Sequence, residues 1–266
     1  MLPPSPRKSS WTVGSDEVRV GAGEFVFLGV DLESSGRCII AVGLSVVTMD
    51  RRVLHASTFS WYRGGHSKIE FCESVRRFFG RHPTVLPALE AASVEAGVND
   101  EAAMVRRAYD FIRRWQGRAR KERFHVRIAS DNPAFDVGEL NALFRKHGHR
   151  RQLPQNLSTG VYECVYDTKS MCSMLAMTLP ATASARHRSL VAQRGSRKMV
   201  EHLFDAPPVV DDATGDEVMH SHVPHEDAAC HAGMLAILFG MSLGNVWQED
   251  GVKAEGRESR EEVASC

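Results

Sequence analysis

The chain has 266 residues, 43% hydrophobic and 25% charged, a composition that suits one large globular domain with a sizeable core. Lys plus Arg and Asp plus Glu are equal at 33 each, so no whole-molecule basic field advertises nucleic acid. The longest apolar stretch, Met234 to Val246, is too short and too interrupted by Gly to span a bilayer, and no membrane partner is expected.

In chain order, residues 1–22 are rich in Pro, Ser and Gly and read as a disordered lead-in; Met1 to Lys8 lacks the apolar core of a signal peptide. Glu24 to Asp31 reads as a strand buried on both faces. Arg37 to Met49 and Arg52 to Trp61 are two more β-rich runs joined by a turn at Thr48 to Arg51, which predicts a three-stranded antiparallel unit. Lys68 to Phe79, Pro83 to Ala92 and Glu101 to Arg118 have helical spacing, with Asn99-Asp100 as the N-cap region of the third. Phe124 to Ala129 is a short strand. Asn132 then stands as an N-cap and Pro133 at the first helical position, so Asp136 falls in the first turn of a helix running to about His147. Asp167 to Met177 and Ser189 to Phe204 read as helices, and Pro207 to Asp216 as a loop. Pro224 opens a helix to about Leu243, with Asp227 in its first turn and Ala228, Ala232, Leu235 and Leu238 buried. The expected organisation is a single α/β domain over 23–247, a mixed sheet with helices on both faces, followed by a disordered charged tail over 248–266.

The six cysteines, Cys38, Cys72, Cys164, Cys172, Cys230 and Cys266, form no CxxC pair and no disulfide framework. Free thiols in a reducing intracellular compartment, cytoplasm or nucleus, are expected.

Three separated segments end an element on an acid. Asp31 and Glu33 close the most apolar strand, and at i, i+2 both side chains point to one face. Two carboxylates on one face repel, and a divalent cation relieves that repulsion. Asp136 and Asp227 each sit in a first helical turn, where an acid also complements the helix dipole. His222 lies before Pro224, in the loop rather than on the helix, free to swing over the acids. A competing set is His220, His222 and His225, whose spacing is similar to the HxHxDH motif of metallo-β-lactamase-like hydrolases and would hold zinc; Pro224 stands where that motif has its Asp. Outside such a set, His220, His225 and His231 are expected at the surface. Arginines and lysines crowd Arg106 to Arg127 and Arg145 to Arg151, either as a solvated helix face or as a strip for phosphates.

Together the motifs resemble those of the DEDD exonucleases of the ribonuclease H-like superfamily. Asp31-Leu32-Glu33-Ser34-Ser35-Gly36 is similar to their first motif, Asn132-Pro133-Ala134-Phe135-Asp136 to the second, and His222-Val223-Pro224-His225-Glu226-Asp227-Ala228 to the third. Val223, not Tyr, stands four residues before Asp227, so the resemblance is to the histidine branch, DEDDh. Tyr166-Asp167-Thr168-Lys169 is similar to the segment opening the helices between the second and third motifs. Asp131 departs from the family, where many members have His before the Asn, and Lys68 to Arg123 is longer and more helical than in compact members; in this it resembles a less studied branch that includes viral and exoribonuclease-like members.

The resemblance implies a ribonuclease H-like fold and a metal-dependent 3′–5′ exonuclease that releases nucleoside monophosphates. Asp31, Glu33, Asp136 and Asp227 would hold two Mg²⁺ or Mn²⁺ ions and His222 would be the general base, with Leu32, Ser34, Ser35 and Asn132 against the substrate. The implied partner is a single-stranded nucleic acid or a nucleic-acid 3′ end, DNA or RNA; a homodimer is compatible with it. The alternatives are a catalytically silent nucleic-acid-binding module on the same fold and the zinc hydrolase.

Overall fold

The computed structural model describes residues 10–12, 20–66, 68–149, 153, 165–178 and 207–242. The long apolar runs become the strands β2 (Phe25–Ser34), β3 (Ile39–Thr48) and β4 (Arg52–Ser60), which pair antiparallel in succession. The turn between β3 and β4 places Arg51 in the left-handed region (φ 67°), and Thr48 Oγ1 accepts from the Arg52 amide to brace it. β5 (His125–Ser130) lies parallel to β2 on its other side, and β6 (Val165–Asp167) parallel to β5. With β1 (Ser10–Thr12) antiparallel on β4, the sheet order is β1-β4-β3-β2-β5-β6, and β7 (Val210–Asp211) pairs parallel with β4. The chain is thus α/β with a mixed sheet.

Six α-helices are described: α1 (Glu73–Arg81), α2 (Val85–Glu95), α3 (Glu101–Glu122), α4 (Pro133–Lys146), α5 (Thr168–Thr178) and α6 (Pro224–Ser242). β2 alternates between two cores. Val26, Leu28, Val30 and Leu32 pack with Val42, Leu44 and Val46 of β3 against α3 and α4. Phe27, with Val47, Val53 and Ala129, packs against α6 on the opposite face. Smaller helices α1 and α2 cover Ile40 and Ala41 at one end of β3. Two glycines set how closely α6 lies on the sheet. A Cβ on Gly29 of β2 would stand 1.8 Å from the Ala228 carbonyl oxygen, and one on Gly43 of β3 2.1 Å from the Pro224 carbonyl carbon. The first turns of α6 therefore rest with their backbone directly on β2 and β3.

Several expectations are corrected. Ser10–Thr12 is a strand on the edge of β4 rather than disordered lead-in, and Val20 is buried. The first helix starts at Glu73, because residues before it run extended and the Cys72 amide donates to the Ser35 carbonyl at 3.1 Å. The second starts at Val85, two residues past Pro83. The third runs on to Glu122 and stops where Arg123 turns left-handed (φ 63°); the Asp100 carboxylate caps its start, accepting from the Ala103 amide at 2.7 Å. The Pro207 to Asp216 loop contains β7. The helix expected over Ser189 to Phe204, the tail 248–266 and residues Cys164 and Cys266 lie outside the described residues. Cys38, Cys72, Cys172 and Cys230 are in no disulfide. Among the described residues no helix is long and apolar enough to cross a membrane.

Candidate active site

Asp31 and Glu33 follow Phe27 and Gly29 on the α6 face of β2, opposite Gly43 and Ala41 of β3. On its other side β2 pairs with β5 only as far as Gly29↔Ala129. β5 runs one residue further, with Ser130 beside Asp167 of β6, before the chain enters α4, so the last residues of β2 face a crevice at the carboxyl ends of two parallel strands, where open α/β sheets place their ligands.

Asp136 enters this crevice from the first turn of α4. It is buried, accepts a hydrogen bond from the Ser130 hydroxyl, and takes another from the Leu32 amide that β5 leaves unpaired. The Asn132 side chain makes no capping bond; the Ser130 hydroxyl instead also accepts from the Asn132 amide at 3.0 Å. Burial and then the Asp31 charge push the Asp136 carboxyl up to about 7, with Asp131 adding to the rise and the Ser130 bond opposing it. Burial likewise drives Glu33 well above the ordinary carboxylate range, followed by the charges of Asp31, Asp227 and Asp136. Each of the four acids is thus within electrostatic reach of the others' cluster, although they come from three separated segments.

Asp227 reaches the cluster from α6 and organises the loop before it. One carboxylate oxygen accepts from the backbone amides of Ser221 (3.0 Å) and His222 (3.2 Å). These bonds hold His222 in the left-handed region (φ 62°), a conformation a residue with a Cβ adopts at a cost of about 1 kcal/mol or more. His220 Nδ1 stands 3.2 Å and His222 Nδ1 3.7 Å from the two Asp227 oxygens. The His222 ring packs edge-on against Phe78 of α1 and His82, at centroid distances of 5.1 and 4.1 Å. Burial and then the neighbouring His82 lower its pKa below the ordinary imidazole value, so at pH 7 the ring is neutral and able to accept a proton.

The sequence leaves out part of this neighbourhood. His231 lies four residues after Asp227 on α6, hence on the same helix face, and is 1% exposed rather than at the surface. Its Nε2 faces Asp31 at 3.6 Å and Asp131 at 3.7 Å. The i, i+4 spacing from Asp227 was the available signal. Phe78 and His82 carry no such signal, because only the tertiary packing of α1 brings them to His222. Among the described residues, two groups have ligand atoms all within 4.8 Å of one another, close enough to share an ion: Asp31, Asp131 and His231, and His220, His222 and Asp227.

The zinc set His220/His222/His225 does not assemble. His225 is buried under the sheet, its Nδ1 2.7 Å from the Thr58 hydroxyl of β4, and Asp227 stands beside His220 and His222 in its place. Of the residues expected against substrate, Leu32 turns to the opposite face of β2, into the α3–α4 core. Ser35 is fully buried, its hydroxyl accepting from the Arg37 and Cys38 amides in the turn after β2. Ser34 accepts from the Gly36 amide at 2.8 Å and Asn132 is exposed at the start of α4. The arginine strip of α3 lies across the sheet from the acids, since α3 and α6 cover opposite faces. Within it Arg118 pairs with both oxygens of Glu122 at 2.9 Å and stacks on Trp115 at 4.8 Å, a structural role. No protein-family model and no curated protein matches this chain.

Proposed function

We propose that the chain is a metal-dependent 3′–5′ exonuclease on a ribonuclease H-like, DEDDh-type domain. The observation that carries this reading is the mutual repulsion of Asp31, Glu33, Asp136 and Asp227 in one crevice. Burying Asp136 and crowding it against other carboxylates costs stability as the acids ionise, and cations in the site would relieve that cost. The donors are carboxylate oxygens, which suit hard ions such as Mg²⁺ or Mn²⁺. Asp31, Glu33, Asp136 and Asp227 would hold two of them. When bound, the ions would supply charge stabilisation to both the attacking and leaving oxygens of an in-line displacement at phosphorus.

The chain's own groups do the rest. His222, neutral at pH 7 and held at the lip of the cluster, takes the proton of the attacking water; its Nδ1 faces Asp227, which leaves Nε2 for that proton. The Asp227 carboxylate fixes the loop that carries the base, so one residue serves both the charge cluster and the position of the base. Ser34 and Asn132, at the rim, are the residues left to meet the terminal nucleotide.

The test incubates end-labelled single-stranded DNA and RNA, with free or blocked 3′ ends, with the full chain and Mn²⁺ or EDTA. Stepwise shortening from free 3′ ends with release of mononucleotides, lost in EDTA and in Asp31→Asn, is the expected result. Binding without shortening on every substrate would instead identify a catalytically silent nucleic-acid-binding module.

A further inference from the structure

The structure assigns a role to His231 that the four-carboxylate reading does not include. We propose that His231, Asp31 and Asp131 form a mixed nitrogen–oxygen cation site that takes a divalent transition-metal ion such as Mn²⁺ in preference to Mg²⁺. The inference rests on Asp31 being a cation ligand, and so deepens the reading above.

Three elements build the site. Asp31 comes from the end of β2, Asp131 from the corner between β5 and α4, and His231 from the second turn of α6. The contact of the Ala228 carbonyl with Gly29 brings the α6 backbone onto β2, which carries the His231 ring down to Asp31. The ring is 1% exposed and the Asp31 side chain 15%, so the nitrogen is turned into the protein rather than into solvent. Nε2 stands 3.6 Å from Asp31 Oδ1 and 3.7 Å from Asp131 Oδ1. Those spacings are longer than direct hydrogen bonds, which run about 2.7–3.2 Å. The ligand atoms of His231, Asp31 and Asp131 all lie within 4.8 Å of one another, within reach of one shared ion.

The donor types then select the ion. Mg²⁺ is hard and dehydrates reluctantly, and it is held through oxygen. Imidazole nitrogen raises affinity along the first transition row, so a His beside two carboxylates favours Mn²⁺ and its heavier neighbours over Mg²⁺. A neutral imidazole also adds a ligand to the crevice without adding to the repulsion among Asp31, Glu33 and Asp136.

The test uses the full chain, stripped with EDTA and desalted, then loaded with Mn²⁺. Electron spin-echo modulation reads nitrogen bound to the ion directly, and calorimetric titration reads Mn²⁺ and Mg²⁺ affinity. The expected result is ¹⁴N modulation in the parent chain that shifts to ¹⁵N on histidine labelling. It is retained in the His220→Gln/His222→Gln double variant and lost in His231→Gln. His231→Gln should lower Mn²⁺ affinity on the order of 10-fold while Mg²⁺ affinity changes less than about 3-fold. Should His231→Gln fail to fold, the double variant decides, because His220 and His222 are partly exposed. Bound Mn²⁺ without nitrogen modulation, modulation that disappears in the double variant, or no Mn²⁺ binding at all would overturn the proposal. Exonuclease turnover with no nitrogen coupling removes this inference and leaves the exonuclease reading. Nitrogen-coupled Mn²⁺ without turnover on any substrate does the reverse.

Discussion

Asp136 is the most direct probe of the carboxylate cluster, because its charge is destabilising to the metal-free fold. Its carboxyl is raised from 3.8 to about 7, first by burial and then by Asp31. In the unfolded chain the proton leaves near the lower value, and in the folded chain near the higher. Between the two the native state holds more protons than the unfolded state, so stability falls as pH rises from about 4 to 7 and stays low above that. At about 1.4 kcal/mol per pH unit, the ionised Asp136 costs the metal-free protein on the order of 4 kcal/mol at pH 8. The residue is 3% exposed, so solvent screens little of this. Asp136→Asn removes the charge and keeps the shape. It weakens the bonds from the Ser130 hydroxyl and the Leu32 amide, a loss of about 1 kcal/mol. The net expectation in EDTA at pH 8 is a gain of roughly 2–3 kcal/mol, or about 5–10 °C in Tm for a domain of this size. At pH 4 the gain should vanish. With saturating Mn²⁺ the order reverses, because the parent chain gains metal binding energy that the variant has lost. Thermal melts of both proteins at pH 4 and pH 8, with EDTA and with Mn²⁺, give all eight values. If Asp136→Asn lowers Tm in EDTA at pH 8 as much as at pH 4, or if Mn²⁺ raises both proteins equally, the carboxylates do not form a cation site.

His222→Ala should cut turnover on the order of 10²-fold or more while Mn²⁺-induced stabilisation stays unchanged. In the metal-saturated parent chain the rate should rise with pH through a limb centred below the ordinary imidazole value, as burial and His82 dictate, and the variant's pH–rate profile should lack it. Gly29→Ala should destabilise by at least about 1–3 kcal/mol in a chemical melt, since its Cβ meets the Ala228 carbonyl, while Gly138→Ala, on the open side of α4, should gain about 0.5–1 kcal/mol. Arg113→Glu with Arg120→Glu, exposed on α3 across the sheet from the acids, should leave turnover and its salt dependence unchanged; a fall in either would put the substrate on that face.

Much of the frame was legible because it obeys a period. The runs in β2 and β3 are apolar on both faces, β4 is rich in strand formers, and the two turns between them carry Gly36, in the left-handed region, and the Thr48–Arg51 corner. Pro133 and Pro224 mark helix starts, and so place Asp136 and Asp227 in first turns. Period 2 places Asp31 and Glu33 on one face. The same rule puts Leu32 on the other face, which is why it belongs to the core rather than beside the acids. What has no period stayed hidden. β1, β6 and β7 are two or three residues long and exist only through their partners in the sheet. The run of arginines was plain in sequence, but a charge run does not say which side of a sheet its helix covers. His225 and His231 look alike in sequence; one turns to Thr58 and the other to Asp31, a difference of helix phase.

The decisive feature at the centre of the fold is a pair of absent side chains. Gly29 and Gly43 sit on neighbouring strands, on the face that carries Asp31 and Glu33, and each gives up its Cβ to the backbone of α6. Helices ordinarily lie on a sheet at the distance their side chains impose. Here that spacer is missing at the first turns, so the N-terminal end of α6 drops onto β2 and β3. Asp227 is thereby brought to the cluster that holds Glu33, and His231 to Asp31. A glycine in a strand interior weakens it locally. At these two positions that loss is offset by a contact through which a late helix can deliver an acid and a histidine to the end of an early strand.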